Sequence, residues 1–570
     1  MTDFLLTDKQ IQHFIINGFI QVKTDLPDLV HREIFRKTDG VFNKIRSRDE
    51  EWAYNPQNNV LPRVPELQQI IDTPQVKGAL TSLLGNNYIM LPHRHCHPNY
   101  PEIEKPEERK LIMGMHKDGH AGGQKPRHRV PRWAILFYYP QECPDELGPT
   151  VIVPRSHYYQ NLARHRDENP NLIVKKGDDG NYELPEHYIE RTLLPLSGGF
   201  GTISIMHFDV GHSVITNLLK ENRYGQKFVF MRTEEPVEPT WNNTSVHWQQ
   251  PEVSGISDHE ILWTYIWNWM RGNTDRFSSN KQQEPDFTLE ELQTLLDSVS
   301  EKDRLAATNR LGFLRNEASP AVPQLVTMLR DESEAVRLNA AYSLAAIGKA
   351  AQPELDELLK KDKEFFELDP VTHISIAAHA LGGMGAEGVD ILVANLNAKD
   401  EHTRAWAAYG LGEIGTAAST ALSALVGQLD DPSPHVRRHV LSAIGIIASD
   451  DDKVESVLAA ELRKEPDGEI RQYVLQAMFR IGPSSSDSIE IINSSLEDKD
   501  PYVSAYAAEQ LFRTGTDEAF RSLVPYLRSN RWFREEPMTT EKREERMRKF
   551  KEKVALRKKA PELKVTVGGG

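Results

Sequence analysis

In the run Met115-His116-Lys117-Asp118-Gly119-His120, His116 and Asp118 stand two residues apart, a spacing that sends both side chains to one face of a strand. About a hundred residues on, the segment 201–212 ends in His212, and Arg223 follows eleven residues later at the head of the strand-like run 227–232. Two imidazoles and one carboxylate on one side of an Fe(II) ion leave its other side open to a chelating organic acid and to O2. A guanidinium grips a carboxylate through two parallel hydrogen bonds, so Arg223 suits the far end of a dicarboxylic co-substrate. Lys227, on the same strand, is the alternative anion clamp. The set reads first as an oxygenase centre.

Such residues need a scaffold that brings distant segments together. The β-prone run 132–139 is followed by a turn-rich stretch with Pro144 and Gly148-Pro149, then by the run 150–157. Strand, turn, strand is the pattern of a jelly-roll meander. Four blocks then occur in a telling order: Leu6-Thr7-Asp8-Lys9-Gln10-Ile11 with Asn17-Gly18-Phe19-Ile20, His116-x-Asp118 with His120, Leu147 to His157, and His207 and His212 with Asn217 and Arg223. Together they resemble the phytanoyl-CoA dioxygenase family of Fe(II)/2-oxoglutarate oxygenases over roughly the first half of the chain. In the third block Arg155 stands where glycine is usual.

The resemblance implies a double-stranded β-helix with His116, Asp118 and His212 as catalytic iron ligands and Arg223 on 2-oxoglutarate. The implied reaction couples decarboxylation of 2-oxoglutarate to succinate and CO2, with O2, to hydroxylation of a substrate carbon. Related halogenases lack the carboxylate, so Asp118 favours hydroxylation. His207 is expected to pack behind the site. The substrate, a small molecule or a carrier-bound group, is chosen by loops that no motif defines.

His93, His95 and His97 alternate along a strand-like segment and share one face. They form either a second metal site or a polar pocket contacting substrate or co-substrate, with His95 the candidate for the co-substrate. Ordinary hydrogen bonding remains a further reading of the row.

The chain of 570 residues requires more than one core. Two cysteines, Cys96 and Cys143, cannot make a disulfide framework, and no apolar run reaches the length of a membrane helix, so a soluble cytoplasmic protein is expected. A net charge of -15 argues against a nucleic-acid or anionic-lipid partner. From about Pro285 the composition turns alanine- and leucine-rich, and a unit repeats. Val336-Arg337 with Ala340-Ala341, Leu344 and Ile347-Gly348 recurs from Thr403-Arg404 to Ile414-Gly415. Further copies stand at Arg304, His373-Ile374, Arg437, Arg471 and Val503, about seven in all. Asp331, Asp431-Pro432 and Asp500-Pro501 are expected to start helices, and the glycines to end them. This half resembles a HEAT-repeat solenoid whose concave face could bind a protein partner.

The expected class is thus multidomain α+β: an oxygenase domain over 1–240, an aromatic helical linker over 241–296, an all-α solenoid over 297–530, and a charged tail over 531–570. Trp263, Trp267 and Met270 fall at helical spacing within the linker. The two large units are expected to be separable, a chain ending near Asn280 keeping iron binding. The rival reading is a solenoid-led scaffold protein with a catalytically silent oxygenase-like domain.

Overall fold

The computed structural model describes residues 4–46, 59–102, 109–112, 114–118, 128–163, 172–251, 258–280, 287–361, 375–448, 452–482, 485–531 and 548. His120, His373 and Ile374, and the charged tail apart from Arg531 and Arg548 lie outside them. No helix among the described residues is long and apolar enough to cross a membrane.

Two antiparallel sheets form the first part. The larger runs β1 (Phe19–Lys23), β9 (Thr202–His207), β4 (Trp133–Tyr138), β11 (Arg223–Arg232) and β2 (Tyr88–Asn99). The smaller runs β10 (His212–Val214), β5 (Thr150–Ile152), β8 (Thr192–Pro195), β7 (Tyr182–Glu183), β6 (Ile173–Lys176) and β3 (Arg109–Lys110). Phe19, Ile135, Phe137, Ile152, Leu196, Met206 and Val210 fill the space between the sheets, which makes a jelly roll. Every residue of β11 is buried, and its Tyr224, Phe228, Val229, Phe230 and Met231 join the main apolar core.

The opening helix Asp8–Asn17 is started by a reciprocal cap between Thr7 and Gln10 and ended by Gly18 at φ 79°. A side chain at Gly18 would meet the His157 ring at 2.6 Å, so glycine is required by both φ and space. Arg155 has φ 68°, a left-handed conformation that costs a non-glycine residue roughly 1–2 kcal/mol. Arg155 offsets part of that cost through Glu190, 3.3 Å away.

The second half is an α-solenoid of paired helices. Its longer members include Glu334–Ile347, Glu401–Ile414, Pro434–Ile447, Gly468–Ile481 and Pro501–Thr514. Gly348, Gly415, Gly482 and Gly515, all at positive φ, end four of them as expected. The helix starts differ from expectation. Asp500 does cap its helix, but Ser333 caps Glu334–Ile347, while Asp331 and Asp431 accept two hydrogen bonds each from Arg304 and Arg404 of the preceding unit. Arg437 with Glu465 and Arg471 with Asp498 repeat this pairing, so the arginine of the motif stitches neighbouring repeats.

The longer helices pack against the jelly roll. The linker helix Glu260–Met270, with Trp263, Trp267 and Trp269 fully buried, is wedged between the halves, and Tyr265 meets Tyr342 at 5.1 Å. Arg132 donates to both oxygens of Glu235 at 2.9 Å and to Glu413 of the solenoid at 3.0 Å. His128 bonds the same Glu413, and Trp269 Nε1 donates to Glu235 at 3.1 Å. Burial opposes ionisation of both carboxyls, yet Arg132 beside Glu235, and His128 with Arg132 beside Glu413, hold them down to about 2. Burial also lowers His128, so at neutral pH Arg132 supplies the positive charge.

One continuous apolar core runs through both halves. Ending the chain near Asn280 would strip Arg132 of Glu413 and bare part of the linker helix, so the expected separability of the units carries a cost in buried contacts. Any partner of the solenoid is left with surfaces outside this contact.

Candidate metal centre

The segment that carries His116 pairs with the start of β10 through a single bridge. His116 N donates to His212 O at 3.1 Å and His212 N donates back at 2.9 Å, so two segments almost a hundred residues apart are held in register by backbone alone. Opposed residues in such a pair point the same way, and the two rings lie 4.4 Å apart. Each ring directs Nδ1 at a carbonyl two residues back, Gly114 O and Val210 O, both at 3.0 Å. Nδ1 is therefore the protonated nitrogen in each, and both Nε2 lone pairs are left for a metal.

Asp118 completes the group: one ligand atom from each of His116, Asp118 and His212 lies within 4.8 Å of the others. Asp118 Oδ1 is 4.0 Å from His212 Nε2, and Oδ2 is 2.5 Å from Lys227 Nζ. Burial would raise the Asp118 carboxyl, but Lys227 and His212 outweigh it and keep the group well below the usual carboxylate range. Burial pushes His212 down to about 3, so its imidazole is neutral. An ionised carboxylate, the neutral imidazole of His212 and the His116 ring with its Nδ1 already committed to Gly114 O, partly open to solvent at His116 and Asp118, are a donor set that fits Fe(II). Donors at right angles about 2.1 Å from one ion stand roughly 3 Å apart, so small side-chain rotations would close the set.

Lys117 was missed by the sequence reading. Lying between the ligands, it points the opposite way, fully buried, and donates to Ser156 O at 2.6 Å and to Tyr159 O, with Asp209 3.7 Å off. It pins the ligand segment to the loop after β5. The alternation foretold its direction, but nothing local foretold its acceptors.

Arg223 is 1% exposed. Its Nε donates to Gly148 O at 3.0 Å and its Nη1 to His97 O at 3.1 Å, while Nη2 has no hydrogen-bond partner among the described residues. A buried, unpaired guanidinium nitrogen suits an anion. Lys227 and His95 are register partners across β11 and β2, as are Gly225 and His97, so all four share the inner face with Arg223. The imidazole row runs outward from there. His97 and His95 rings lie 4.2 Å apart, His95 and His93 6.0 Å, and His93 Nδ1 meets Tyr502 Oη of the solenoid at 3.1 Å. Burial, followed by His95, Lys227 and Arg223, pushes His97 well below the usual imidazole value. The row is not part of a metal-binding group among the described residues. His207 is buried behind the site, 5.0 Å from the His157 ring, and burial lowers it to about 4.

The chain matches the family model described as HEAT repeats over residues 289–366 and 389–459. No curated protein matches the sequence. Solved structures similar to the chain include the non-heme alpha ketoglutarate dependent carbocyclase SnoK from nogalamycin biosynthesis, at 14% identity and TM-score 0.29, over 41% of this chain and 87% of that one. EctD from S. alaskensis with bound Fe matches at 13% identity and TM-score 0.29, over 41% and 79%. The non-heme monooxygenase ThoJ matches at 13% and 0.30, over 41% and 83%. Scores this low decide nothing about the reaction. Strand order and site geometry define the first part of the chain as a jelly roll with a His-Asp-His group, and the second is a HEAT-repeat solenoid.

Proposed function

We propose that the protein is an Fe(II)- and 2-oxoglutarate-dependent dioxygenase that hydroxylates a carbon of its substrate. The observation that carries this reading is the convergence of His116, Asp118 and His212 with both histidine tautomers set for metal binding. Bound Fe(II) would supply the redox chemistry that couples loss of CO2 from 2-oxoglutarate to oxidation of a C–H bond by O2. The side chains supply position and charge. His116, Asp118 and His212 would hold the ion, Lys117 would steady the segment bearing two of them, and the free Nη2 of Arg223 would take the distal carboxylate, with His95 beside it.

Succinate release with Fe(II), ascorbate and 2-oxoglutarate, screened across acyl thioesters, small metabolites and peptide side chains, tests the reading and finds the substrate class. Absence of both iron and 2-oxoglutarate binding would leave the scaffold reading standing.

Arg223→Ala is expected to lower 2-oxoglutarate affinity at least tenfold, as loss of a charge-assisted contact of roughly 1.5–3 kcal/mol requires. Iron content should stay at the wild-type level. Titration of the anaerobic Fe(II) protein with 2-oxoglutarate measures this, and a larger effect from Lys227→Ala would transfer the clamp to Lys227.

The solenoid has a place in this reading. Tyr502 ends the imidazole row that begins beside Arg223 and Lys227, so a substrate lying along the row would touch both halves of the chain. For a substrate found by the screen, Tyr502→Ala should weaken apparent substrate affinity several-fold and leave the apparent affinity for 2-oxoglutarate unchanged. Equal weakening of both would mean that Tyr502 acts only on stability.

A further inference from the structure

We propose that Lys227 is a positioning residue that occupies one oxygen of Asp118 so that the other alone is offered to the metal, an inference that rests on the Fe(II)/2-oxoglutarate reading above. Lys227 is 5% exposed, on a strand buried along its whole length, with Phe137 and His95 as its register partners on either side. Its ammonium stands 2.5 Å from Asp118 Oδ2, while Oδ1 faces His212 Nε2 at 4.0 Å. The two carboxylate oxygens are thus already sorted, one to the protein and one to the ligand group.

Three physical points favour this role over an anion clamp. The buried Lys227 Nζ already stands against an anionic group, Asp118 at 2.5 Å, and so is not waiting for a second one. Arg223, on the same face, has a buried donor with no partner, whereas Lys227 is already engaged. A cation this close to a divalent ion weakens its binding, so what Lys227 contributes is geometry rather than affinity. A carboxylate free to use both oxygens would take up one more position around the ion. Held through Oδ2, it leaves that position to the chelating acid or to O2.

The test uses the full-length protein and Co(II) alone as the metal probe, with Lys227→Met, close in shape and uncharged, and Lys227→Arg, which keeps a donor. Calorimetry should show Lys227→Met binding Co(II) about tenfold more tightly than wild type, because a repulsive charge is gone and a second oxygen is released. Its Co(II) visible spectrum should differ from wild type, and Lys227→Arg should restore the wild-type spectrum. On the Fe(II) protein, the 2-oxoglutarate affinity of Lys227→Met should fall less than that of Arg223→Ala. Lys227→Leu, also uncharged and without a donor, gives the same comparison where Lys227→Met does not fold.

Unchanged or weaker Co(II) binding with an unchanged spectrum would overturn the proposal while leaving the metal site in place. A 2-oxoglutarate loss as large as that of Arg223→Ala would overturn it in favour of a clamp. Wild-type protein that takes up no Co(II) would overturn the metal reading itself, and the proposal with it.

Discussion

His116→Ala and His212→Ala proteins are expected to carry no Fe(II) after anaerobic reconstitution, while His207→Ala retains nearly the wild-type content. Each of the first two changes removes an Nε2 donor from a set of three, and no other described His, Cys, Asp or Glu stands ready to replace it. The backbone bridge between residues 116 and 212 needs no side chain, so the fold should survive both changes. His207 lies on the far side, against His157 and Phe14, and its removal should cost about 1–3 kcal/mol of stability through lost packing without touching the ion. Iron content beside a thermal melt separates the two effects. Equal iron loss from His207→Ala would reject the ligand assignment.

Glu413→Ala is expected to be the most destabilising change in the solenoid, at about 3–5 kcal/mol, because it leaves the buried Arg132 and His128 without one partner carboxylate. Glu413→Gln keeps a hydrogen-bonding tip and should cost less. The acid response follows from the same group. Glu235 and Glu413 ionise near 2 in the folded chain against an ordinary 4.5, so the folded state holds fewer protons than the unfolded one between those values. Their stabilisation is complete above about pH 4.5 and fades as pH falls toward 2. Melting temperatures from pH 6 down to 3 should therefore drop less steeply for Glu413→Gln than for wild type. A Glu413→Ala protein that melts with the wild type and shows the same acid slope would mean that the contact between the halves contributes nothing.

Much of this architecture was legible locally. The two-residue spacing of His116 and Asp118, the 3.6-residue period of Trp263 and Trp267, and the recurring Ala-Ala, Leu and Gly positions of the repeats are one-dimensional signals of side-chain direction and helix ends. They sufficed for a linker helix and a solenoid, because helix period and repetition are written in neighbouring residues, while the jelly roll was expected from a strand-turn-strand run and from the family resemblance. The set His116, Asp118, His212 and Arg223 was expected from residue type, spacing and the family resemblance together, and the fold brings ligand atoms of the first three within 4.8 Å of one another. Helix starts were read less well, because Asp331 and Asp431 are equally good caps and arginine acceptors by residue type, and the arginine that claims each is 27 residues away.

Tertiary structure alone decided matters between distant segments. Lys227 could be a clamp by its chemistry, but only the register of β11 against β2 and β4 carries its ammonium to Asp118. Lys117 was an unremarked spacer until its buried tip met the carbonyls of Ser156 and Tyr159. Glu413 and Tyr502 lie on repeat helices where residue type says nothing about what they face, and their partners His128, Arg132 and His93 are about three to four hundred residues earlier in the chain. A solenoid's period describes contacts between its own neighbours. What lies against its longer helices is set by shape and charge between two folded surfaces, and that is why the repeats read as a separate arm in sequence and close against the jelly roll in space.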